Sequence, residues 1–481
     1  MSVLLGLKPE KVFEFFEEIC GIPHGSGNMD AISNYLVAFA KSRGLEVIQD
    51  EIKNVIIMKE ASEGYEQEPT VIIQGHMDMV AVQKPELNID MTKAQLKLAV
   101  DGDKVYAEGT SLGGDDGIAV AYALAILDSA TIKHPRLEVV ITVDEETGMG
   151  GARGIDLSML KGNRLLNLDS EDEGYFLTSC AGGGRAHCEL EYEPDLKEGR
   201  LYEVVIGGLQ GGHSGGEINK EGGNSNLLMT RLLWDLLQAD AGLVKCQGGL
   251  ADNAIPRETT ALLVISEDKQ SVFETVVKKF EVEVKAELAV KDPGFFVSAK
   301  AGAAGRSVCV AGEALKKAVA LLLALPNGVQ AMSADIPGLV ETSLNLGVLQ
   351  INTEKLQATY AVRSSIESSK AALSKRMEAI VCLAGGNYSF TGAYPGWAYR
   401  ADSPLRRKMI ALYEEMYGEK PQVIAIHAGL ECGLLASKIE DLDCVSFGPT
   451  INNIHTTEEY LSISSVERVW EYLVRLLEKK D

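Results

Sequence analysis

The segment TVIIQGHMDMVAV (residues 70–82) begins as a buried strand and ends in polar residues. Its valine and isoleucine residues are the β-branched types typical of a central strand, and Gly75 then precedes His76 and Asp78. Two residues at this spacing lie on the same side of an extended chain. Since functional residues of open α/β sheets gather just past the carboxyl ends of strands, the segment predicts an α/β sheet with a site at the end of this strand.

The flanking sequence repeats the alternation of strands and helices. Further apolar runs of strand length lie at 45–49, 54–58, 136–143 and 164–169. Apolar residues with helical periodicity lie at 9–20, 29–43 and 117–129. This order indicates an α/β domain whose sheet is covered by helices on both faces.

A second region with its own core begins near AGGGR (181–185) and ends near YPGW (394–397). Its predicted strands lie at 201–208, 259–265, 343–350 and 357–363. Its predicted helices lie at 224–239, 270–288, 312–325 and 368–384. This β-α-β content indicates a separate α+β domain.

The last part of the chain resumes the first pattern. A predicted helix lies at 404–417, and predicted strands lie at 422–427 and 444–448. A chain of 481 residues is too long for a single core. We therefore predict one α/β domain, made of residues 1–184 and 397–481, that is interrupted by an α+β domain at 185–396.

Composition narrows the class of protein. The formal net charge of −23 argues against a basic nucleic-acid face and against docking on anionic lipid. No apolar run reaches the ~18 residues of a membrane span, and the N-terminal sequence lacks the features of a signal peptide. The eight cysteines form no C-x-x-C pair, which is typical of reduced thiols in the cytoplasm. We expect a cytoplasmic protein that binds neither membranes nor nucleic acid.

Five predicted strand ends or helix-opening turns have side chains that bind metals. They contain His76 with Asp78, Asp115 in SLGGDDG, Glu145 with Glu146 in VITVDEETGMGG, Asp169 in RLLNLD, and His455 in FGPTINNIHTTEE. Taken singly, each is more often a turn former, a cap or a surface residue. Together, two imidazoles and three carboxylates match what a pair of zinc or manganese ions needs.

A pair of cations imposes its own geometric demands. Two cations ~3.5–4 Å apart repel each other unless an anion bridges them. One carboxylate can bridge both, a hydroxide can be the second bridge, and each cation then needs one imidazole and one further carboxylate. Of two neighbouring acidic residues, one can bind metal while the other acts as a base toward the bridging water.

The motifs also occur in a known order. They resemble those of the M20 family of metallopeptidases over nearly the whole chain, in the segments GHMDMV, GGDDG, DEETGMGGA, LDSED and NIHTTEE. Four further segments are similar to its aminoacyl-histidine dipeptidase branch, namely GGHSGG (211–216), ADNAIPRE (251–258), RSS (363–365) and HAGLECG (427–433). The resemblance implies a zinc-exopeptidase-like domain with a mixed sheet, interrupted by a lid and dimerisation domain.

The resemblance implies a ligand for each coordination position. Asp115 would bridge two divalent metal ions, His76 and Asp169 would complete one site, and Glu146 and His455 the other. Zinc is the family's expected metal, and cobalt or manganese suits the same nitrogen and oxygen ligands. The family also implies a cis peptide bond after Asp115.

The resemblance also implies roles around the metals. Glu145 would be the general base, and Asp78 would hydrogen-bond the far nitrogen of His76 and fix its tautomer. His213 would stabilise the oxyanion, reaching the active site of the partner subunit in a homodimer formed through the lid domain. Arg363 is our choice for the substrate carboxylate, and Asn253 is a candidate for the same pocket as His213.

Two residues of HAGLECG have open roles. His427 and Glu431 are predicted either to bind the N-terminus of the substrate, to support the residues that bind it, or to be purely structural. The implied activity is hydrolysis of unblocked dipeptides of the Xaa-His type, with broad tolerance for the N-terminal residue. The alternatives are an amidohydrolase or deacylase acting on N-acyl amino acids, and a metal-dependent binding protein without catalysis.

Overall fold

The computed structural model describes residues 2–481. Its α-helices are α1 (Glu10–Cys20), α2 (Asp30–Ser42), α3 (Gly114–Asp128), α4 (Gly150–Gly154), α5 (Ser225–Leu236), α6 (Gln270–Glu287), α7 (Gly312–Ala324), α8 (Glu367–Leu383), α9 (Pro404–Tyr417), α10 (Glu431–Ala436) and α11 (Ile463–Glu478). Within these residues, no helix is long and apolar enough to cross a membrane.

The strands outnumber the helices. They are β1 (Glu46–Gln49), β2 (Val55–Lys59), β3 (Val71–His76), β4 (Leu98–Asp101), β5 (Lys104–Ala107), β6 (Leu137–Thr142), β7 (Arg164–Asn167), β8 (Tyr175–Cys180), β9 (Gly182–Glu191), β10 (Asp195–Gly207), β11 (Gly212–His213), β12 (Gly242–Gly248), β13 (Ala254–Ile255), β14 (Thr259–Ile265), β15 (Phe296–Cys309), β16 (Gly328–Met332), β17 (Val340–Ile351), β18 (Lys355–Ser364), β19 (Asn387–Tyr394), β20 (Gln422–Ile426), β21 (Asp443–Ser446), β22 (Ile451–Asn452) and β23 (Tyr460–Ser462).

Two compact units make up the chain. The first unit contains residues Met1–Ser179, Trp397–Ala425 and Leu430–Asp481, and the second contains Cys180–Gly396 and Ile426–Gly429. The predicted domain limits at 184/185 and 396/397 stay a prediction. Residues 426–429, which the sequence assigned to the α/β domain, group with the second unit.

The first unit is built on a mixed sheet in the order β1-β2-β6-β3-β7-β21-β8-β20. β3 lies parallel to both β6 and β7, and all six of its residues are buried. Ile73 belongs to the core formed with α1, α3 and α11, while its neighbour Ile72 is buried as well. Because successive residues of a strand point to opposite faces, both faces of this sheet are covered, as in other parallel arrangements.

A smaller sheet completes the first unit. It has four strands in the order β22-β23-β5-β4, and the sequence did not predict it. Its strands are only two to four residues long. Such short strands leave little periodicity to detect.

The second unit is built on an antiparallel sheet. Its strand order is β15-β10-β14-β12-β17-β18-β9-β19, and β16 also pairs with β17. Residues of α5, α6, α7 and α8 pack with this sheet in one core. The mixed α/β fold class is thus confirmed, although β15 was not predicted, because its Ala- and Gly-rich sequence lacks apolar alternation.

Candidate functional site

Parallel strands bring the first ligands together. His76 is the last residue of β3, and it lies opposite Thr142, the last residue of β6. On the other side, β7 pairs with β3 through Asn167 and Gln74, and Asp169 follows two residues later. Because parallel strands end at the same edge, the chain beyond β6 and β7 begins beside His76.

A tight turn at the start of α3 presents Asp115. Gly113 has a left-handed φ of 70°, and Asp115 and Asp116 have non-helical backbone angles. The peptide bond between Asp115 and Asp116 is cis, as the resemblance implies. Oδ1 of Asp115 lies 3.1 Å from Nε2 of His76, and Oδ2 lies 3.2 Å from Nε2 of His455. Each oxygen therefore faces a different imidazole, which is the arrangement that a bridging carboxylate needs.

Two further carboxylates complete this arrangement. Oδ1 of Asp169 lies 3.7 Å from Nε2 of His76. Oε1 of Glu146 lies 2.8 Å from Nε2 of His455 and is buried without forming a hydrogen bond. Asp115, Glu146 and His455 offer ligand atoms that all lie within 4.8 Å of one another. A buried acceptor without a donor, beside an imidazole nitrogen, fits a cation shared by both atoms.

Asp116 is a neighbour that the sequence reasoning passed over. Its carboxylate groups with His76 and Asp169 within 4.8 Å, and its Oδ2 accepts the backbone N–H of His76 at 3.2 Å. Burial and the charge of Asp169 raise the pKa of Asp116 well above its usual range. A side chain at Gly75 would collide with this carboxylate. Two sequence features could have pointed to Asp116. They are the second Asp of GGDDG and the glycine of GHMD, which leaves room for the carboxylate.

The carboxylates of the cluster favour positive charge on both imidazoles. Burial lowers the pKa of His76, but the neighbouring carboxylates of Asp115, Asp169 and Asp78 outweigh it and raise the pKa well above 6.5. The neighbouring carboxylates of Asp115 and Glu146 raise the pKa of His455 to about 10. A metal cation exploits the same negative potential and displaces these protons.

Glu145 lies in the same cluster with a different environment. Burial, followed by the charges of Asp169, Glu431 and Glu146, raises its pKa to about 9. It belongs to a group with His76 and Glu146 in which ligand atoms lie within 4.8 Å. Bound cations beside these carboxylates would counter this shift and favour the ionised form of Glu145, which can then accept a proton from water.

The contact of Asp78 with His76 differs from the one expected. The sequence placed its carboxylate on the far nitrogen of His76, but Nδ1 lies 2.9 Å from the carbonyl oxygen of Asp78 and 3.6 Å from the carboxylate. The carboxylate instead accepts the backbone N–H groups of Glu145 and Glu146 at 3.1 and 3.4 Å, and the hydroxyl of Ser26 at 2.8 Å. Asp78 therefore holds both His76 and the Glu145–Glu146 turn, leaving Nε2 of His76 free for metal.

The second unit contains a cluster of opposite charge. Arg363 on β18 is 9% exposed. Its Nη1 donates to the hydroxyl of Tyr394 at 3.3 Å, while its Nε is buried without a hydrogen bond. Nε2 of His427 lies 2.7 Å from the hydroxyl of Ser343, and its Nδ1 is buried without a partner. Burial and the charges of Arg363 and His213 lower the pKa of His427 to about 4. The two unpaired buried nitrogens, Nε of Arg363 and Nδ1 of His427, fit an anionic ligand.

His213 and Asn253 lie side by side in the second unit. His213 ends β11, which pairs with β13 so that His213 lies opposite Ala254. Both His213 and Asn253 line a cavity of about 860 Å³. Nδ1 of His213 accepts the N–H groups of Gly215 and Gly216 at 3.3 and 3.2 Å. Burial and the charge of Arg363 lower its pKa, which keeps the imidazole neutral and able to donate from Nε2.

Glu431 occupies a different place from the other predicted substrate-binding residues. It belongs to the first unit and has no exposed surface. Its Oε2 accepts from Nε2 of Gln74 and the hydroxyl of Thr142, both at 2.6 Å. Gln74 lies two residues before His76 on β3. Of its predicted roles, this placement favours support of the ligand-bearing strands.

Comparisons with known proteins agree with these features. Residues 72–479 match the profile described as Peptidase family M20/M25/M40. The chain is 37% identical over 484 residues to the cytosol non-specific dipeptidase of Escherichia coli (strain K12), covering 100% of this chain and 99% of that protein. The crystal structure of aminoacylhistidine dipeptidase from Vibrio alginolyticus has a TM-score of 0.95 and 37% identity, covering 99% of this chain and 98% of that one. Aminopeptidase PepT from Bacillus cereus shares the fold, with a TM-score of 0.56 at 15% identity over 98% of both chains.

Proposed function

The chain belongs to peptidase family M20/M25/M40, and from that premise we propose that it is a dinuclear-metal dipeptidase that hydrolyses unblocked dipeptides. Membership in the family makes it a hydrolase of the peptidase class. Two relatives that cover almost all of the chain are named as dipeptidases. The observation that best supports the proposal is Asp115, whose two carboxylate oxygens face two different imidazoles.

The proposed metal ligands follow from these contacts. His76 and Asp169 would hold one cation, Glu146 and His455 would hold the other, and Asp115 would contribute to both. The donor set of two imidazole nitrogens and three carboxylates suits zinc, cobalt or manganese. Asp116 stays outside the set, because its Oδ2 is used by the backbone N–H of His76.

The proposed chemistry assigns proton transfer to Glu145. When bound, the two cations supply Lewis-acid polarisation and a water of lowered pKa. Glu145 accepts the proton of the attacking water and returns it to the leaving amine. Asp78 orients Glu145 through the backbone N–H of that residue at 3.1 Å. His213 of the partner subunit donates a hydrogen bond to the oxyanion, and such donors are typically worth about 10²–10³ in kcat.

The cationic cluster of the second unit suits the end of a dipeptide. Arg363 binds the C-terminal carboxylate through its unpaired Nε, and His427 adds the N–H of Nδ1. Asn253 lies beside His213, and we assign it to the same pocket as His213. The relative from Vibrio alginolyticus is named for aminoacylhistidine substrates, so we propose Xaa-His dipeptides as the preferred class. We also propose that the chain forms a homodimer through the second unit and that it is located in the cytosol.

A substrate panel tests this function. Purified protein loaded with Zn²⁺ is assayed with Ala-His, β-alanyl-His and N-acetyl amino acids, with a chelated sample as the control. Hydrolysis of Ala-His that is lost on chelation supports the proposal. Turnover of the N-acetyl amino acids alone would show a deacylase instead, and metal binding without any turnover would show a binding protein.

A further inference from the structure

We propose that Glu459 is a positioning residue that sets the geometry of one metal half-site. Glu459 joins the loop that carries His455 to the turn that carries Asp115, two residues proposed to bind the same cation. The inference rests on the proposed metal pair. It adds a residue that is no metal ligand and that the proposed chemistry does not use.

The carboxylate of Glu459 contacts three successive backbone amides. Its Oε2 accepts the N–H groups of Leu112 and Gly113 at 2.8 and 3.2 Å, and its Oε1 accepts that of Gly114 at 2.8 Å. The next residue in the chain is Asp115. The first N–H groups of a helix have no partner within it and bear partial positive charge. A buried carboxylate, only 3% exposed, therefore fixes the backbone just before the bridging ligand.

The glycines of this turn make room for the carboxylate. A Cβ atom at Gly114 would lie 3.3 Å from Oε1 of Glu459. Gly113 has a φ of 70°, in the left-handed region that favours glycine. The GG of GGDDG thus lets Glu459 approach the backbone closely.

At its other end, Glu459 anchors the loop of His455. This loop joins β22 to β23, and Asn453 and His455 have left-handed φ values of 53° and 61°. The side chain of His455 is 42% exposed, so packing does little to fix it. The hydroxyl of Thr456 donates a hydrogen bond to the carbonyl oxygen of Asn453 at 2.7 Å, so this contact stays within the loop. The direction of His455 therefore depends on where the loop backbone is held, and Glu459 lies four residues away.

The two half-sites are built in different ways. His76 and Asp169 follow neighbouring parallel strands, whose ladder of hydrogen bonds fixes their spacing. Asp115 and His455 are 340 residues apart in sequence and lie on a turn and a loop. Glu459 bonds the turn and belongs to the loop. Asp115 serves both half-sites, whereas the loop of His455 serves only one. Loss of this carboxylate should therefore weaken the Asp115–Glu146–His455 half-site more than the half-site of His76 and Asp169.

Metal titration of Glu459→Gln tests the inference. Glutamine keeps the length of the side chain but places an N–H₂ group against backbone donors. Calorimetric titration of the metal-free protein with Zn²⁺ should show one site weakened on the order of 10- to 100-fold, the usual effect of losing a partner that orients ligands, and the other site weakened clearly less. Added Zn²⁺ should restore kcat, with KM for Ala-His unchanged.

Asp443→Asn is the matched control. Asp443 is also a buried carboxylate of the first unit, 5% exposed, and it accepts the N–H of Leu405 at 2.9 Å at the start of α9. Asp443 begins β21, a strand that contains no proposed ligand. This variant should lose stability while both Zn²⁺ affinities stay at the wild-type values.

The outcomes separate the inference from the proposed function. Wild-type protein that binds fewer than two Zn²⁺ would overturn the proposed function itself. Wild-type protein that binds two, with Glu459→Gln unchanged or weakened equally at both sites, would overturn only the inference. If Glu459→Gln does not fold, Glu459→Asp replaces it under the same criterion, because the shorter carboxylate cannot reach all three amides.

Discussion

The histidines of the two candidate-site clusters, one in each unit, have pKa values shifted in opposite directions. In the first unit, neighbouring carboxylates raise the pKa of His76 and His455. In the second unit, burial and the charge of Arg363 lower the pKa of His213 and His427. The same side chain is thus placed among carboxylates in one unit and beside a guanidinium in the other.

This difference in charge indicates which kind of ligand each cluster can bind. Carboxylates that raise the pKa of an imidazole will equally attract a divalent cation, which takes the place of the protons. A guanidinium and neutral imidazoles with unpaired N–H groups attract an anion such as a carboxylate. Both properties suit a dipeptidase, since bound cations would activate the attacking water and a cationic group can hold a C-terminal carboxylate.

Replacing the proposed base should have the largest effect. Glu145→Gln removes the group that transfers the proton but none of the proposed metal ligands. We expect kcat for Ala-His to fall by about 10²–10⁴, while metal analysis still finds two ions per chain. Loss of a metal together with activity would instead show that Glu145 is a ligand.

Acid should destabilise the second cluster through His427. Its pKa is about 4 in the folded chain against 6.5 for the free side chain, so the unfolded chain binds more protons between these values. Stability is therefore lost as the pH falls from 6.5 to 4, by at most ~3 kcal/mol. The free energy of unfolding of His427→Gln should fall less steeply over this range than that of the wild type. Parallel slopes would rule out a neutral buried His427.

Removing the guanidinium should affect binding rather than chemistry. A hydrogen bond to a charged group contributes about 1.5–3 kcal/mol, so Arg363→Ala should raise KM for Ala-His by about 10- to 100-fold. The amide of Ala-His, which lacks the carboxylate, serves as the control substrate. Wild type should discriminate against it and Arg363→Ala should not, and equal losses on both substrates would refute the assignment.

The smallest effect is expected from Asp78→Asn. The carbonyl of Asp78 still accepts from His76, but one carboxylate oxygen that holds the turn of Glu145 and Glu146 becomes an amide nitrogen. We expect about a 10-fold loss of activity with two metals retained. His76→Ala is the matched comparison and should leave only one metal per chain, as measured by metal analysis.

Much of the first cluster was predictable because its ligands follow strands or open a helix. His76 and Asp169 lie beside each other since β3 and β7 are parallel, and the order of motifs identified the family. The carboxylate of Asp78 was misplaced because its partners are backbone N–H groups 67 and 68 residues away. A sequence lists side chains, whereas backbone donors become visible only when the turn is built.

The burial of individual acidic residues was the other property that the sequence did not reveal. Glu431 and Glu459 are both acidic, and acidic residues are usually exposed. The structure buries both, at 0% and 3% exposure, because each accepts hydrogen bonds from a distant part of the chain. β15 and the small sheet were missed for a related reason, since their strands have no apolar pattern or are too short to show one.

The stoichiometry of reactivation tests the central claim most directly. Metal-free protein is titrated with Zn²⁺ while hydrolysis of Ala-His and bound metal are measured on the same samples. A carboxylate bridge between two half-sites predicts that full activity requires two ions per chain. Full activity with one ion or none would contradict a dinuclear-metal dipeptidase.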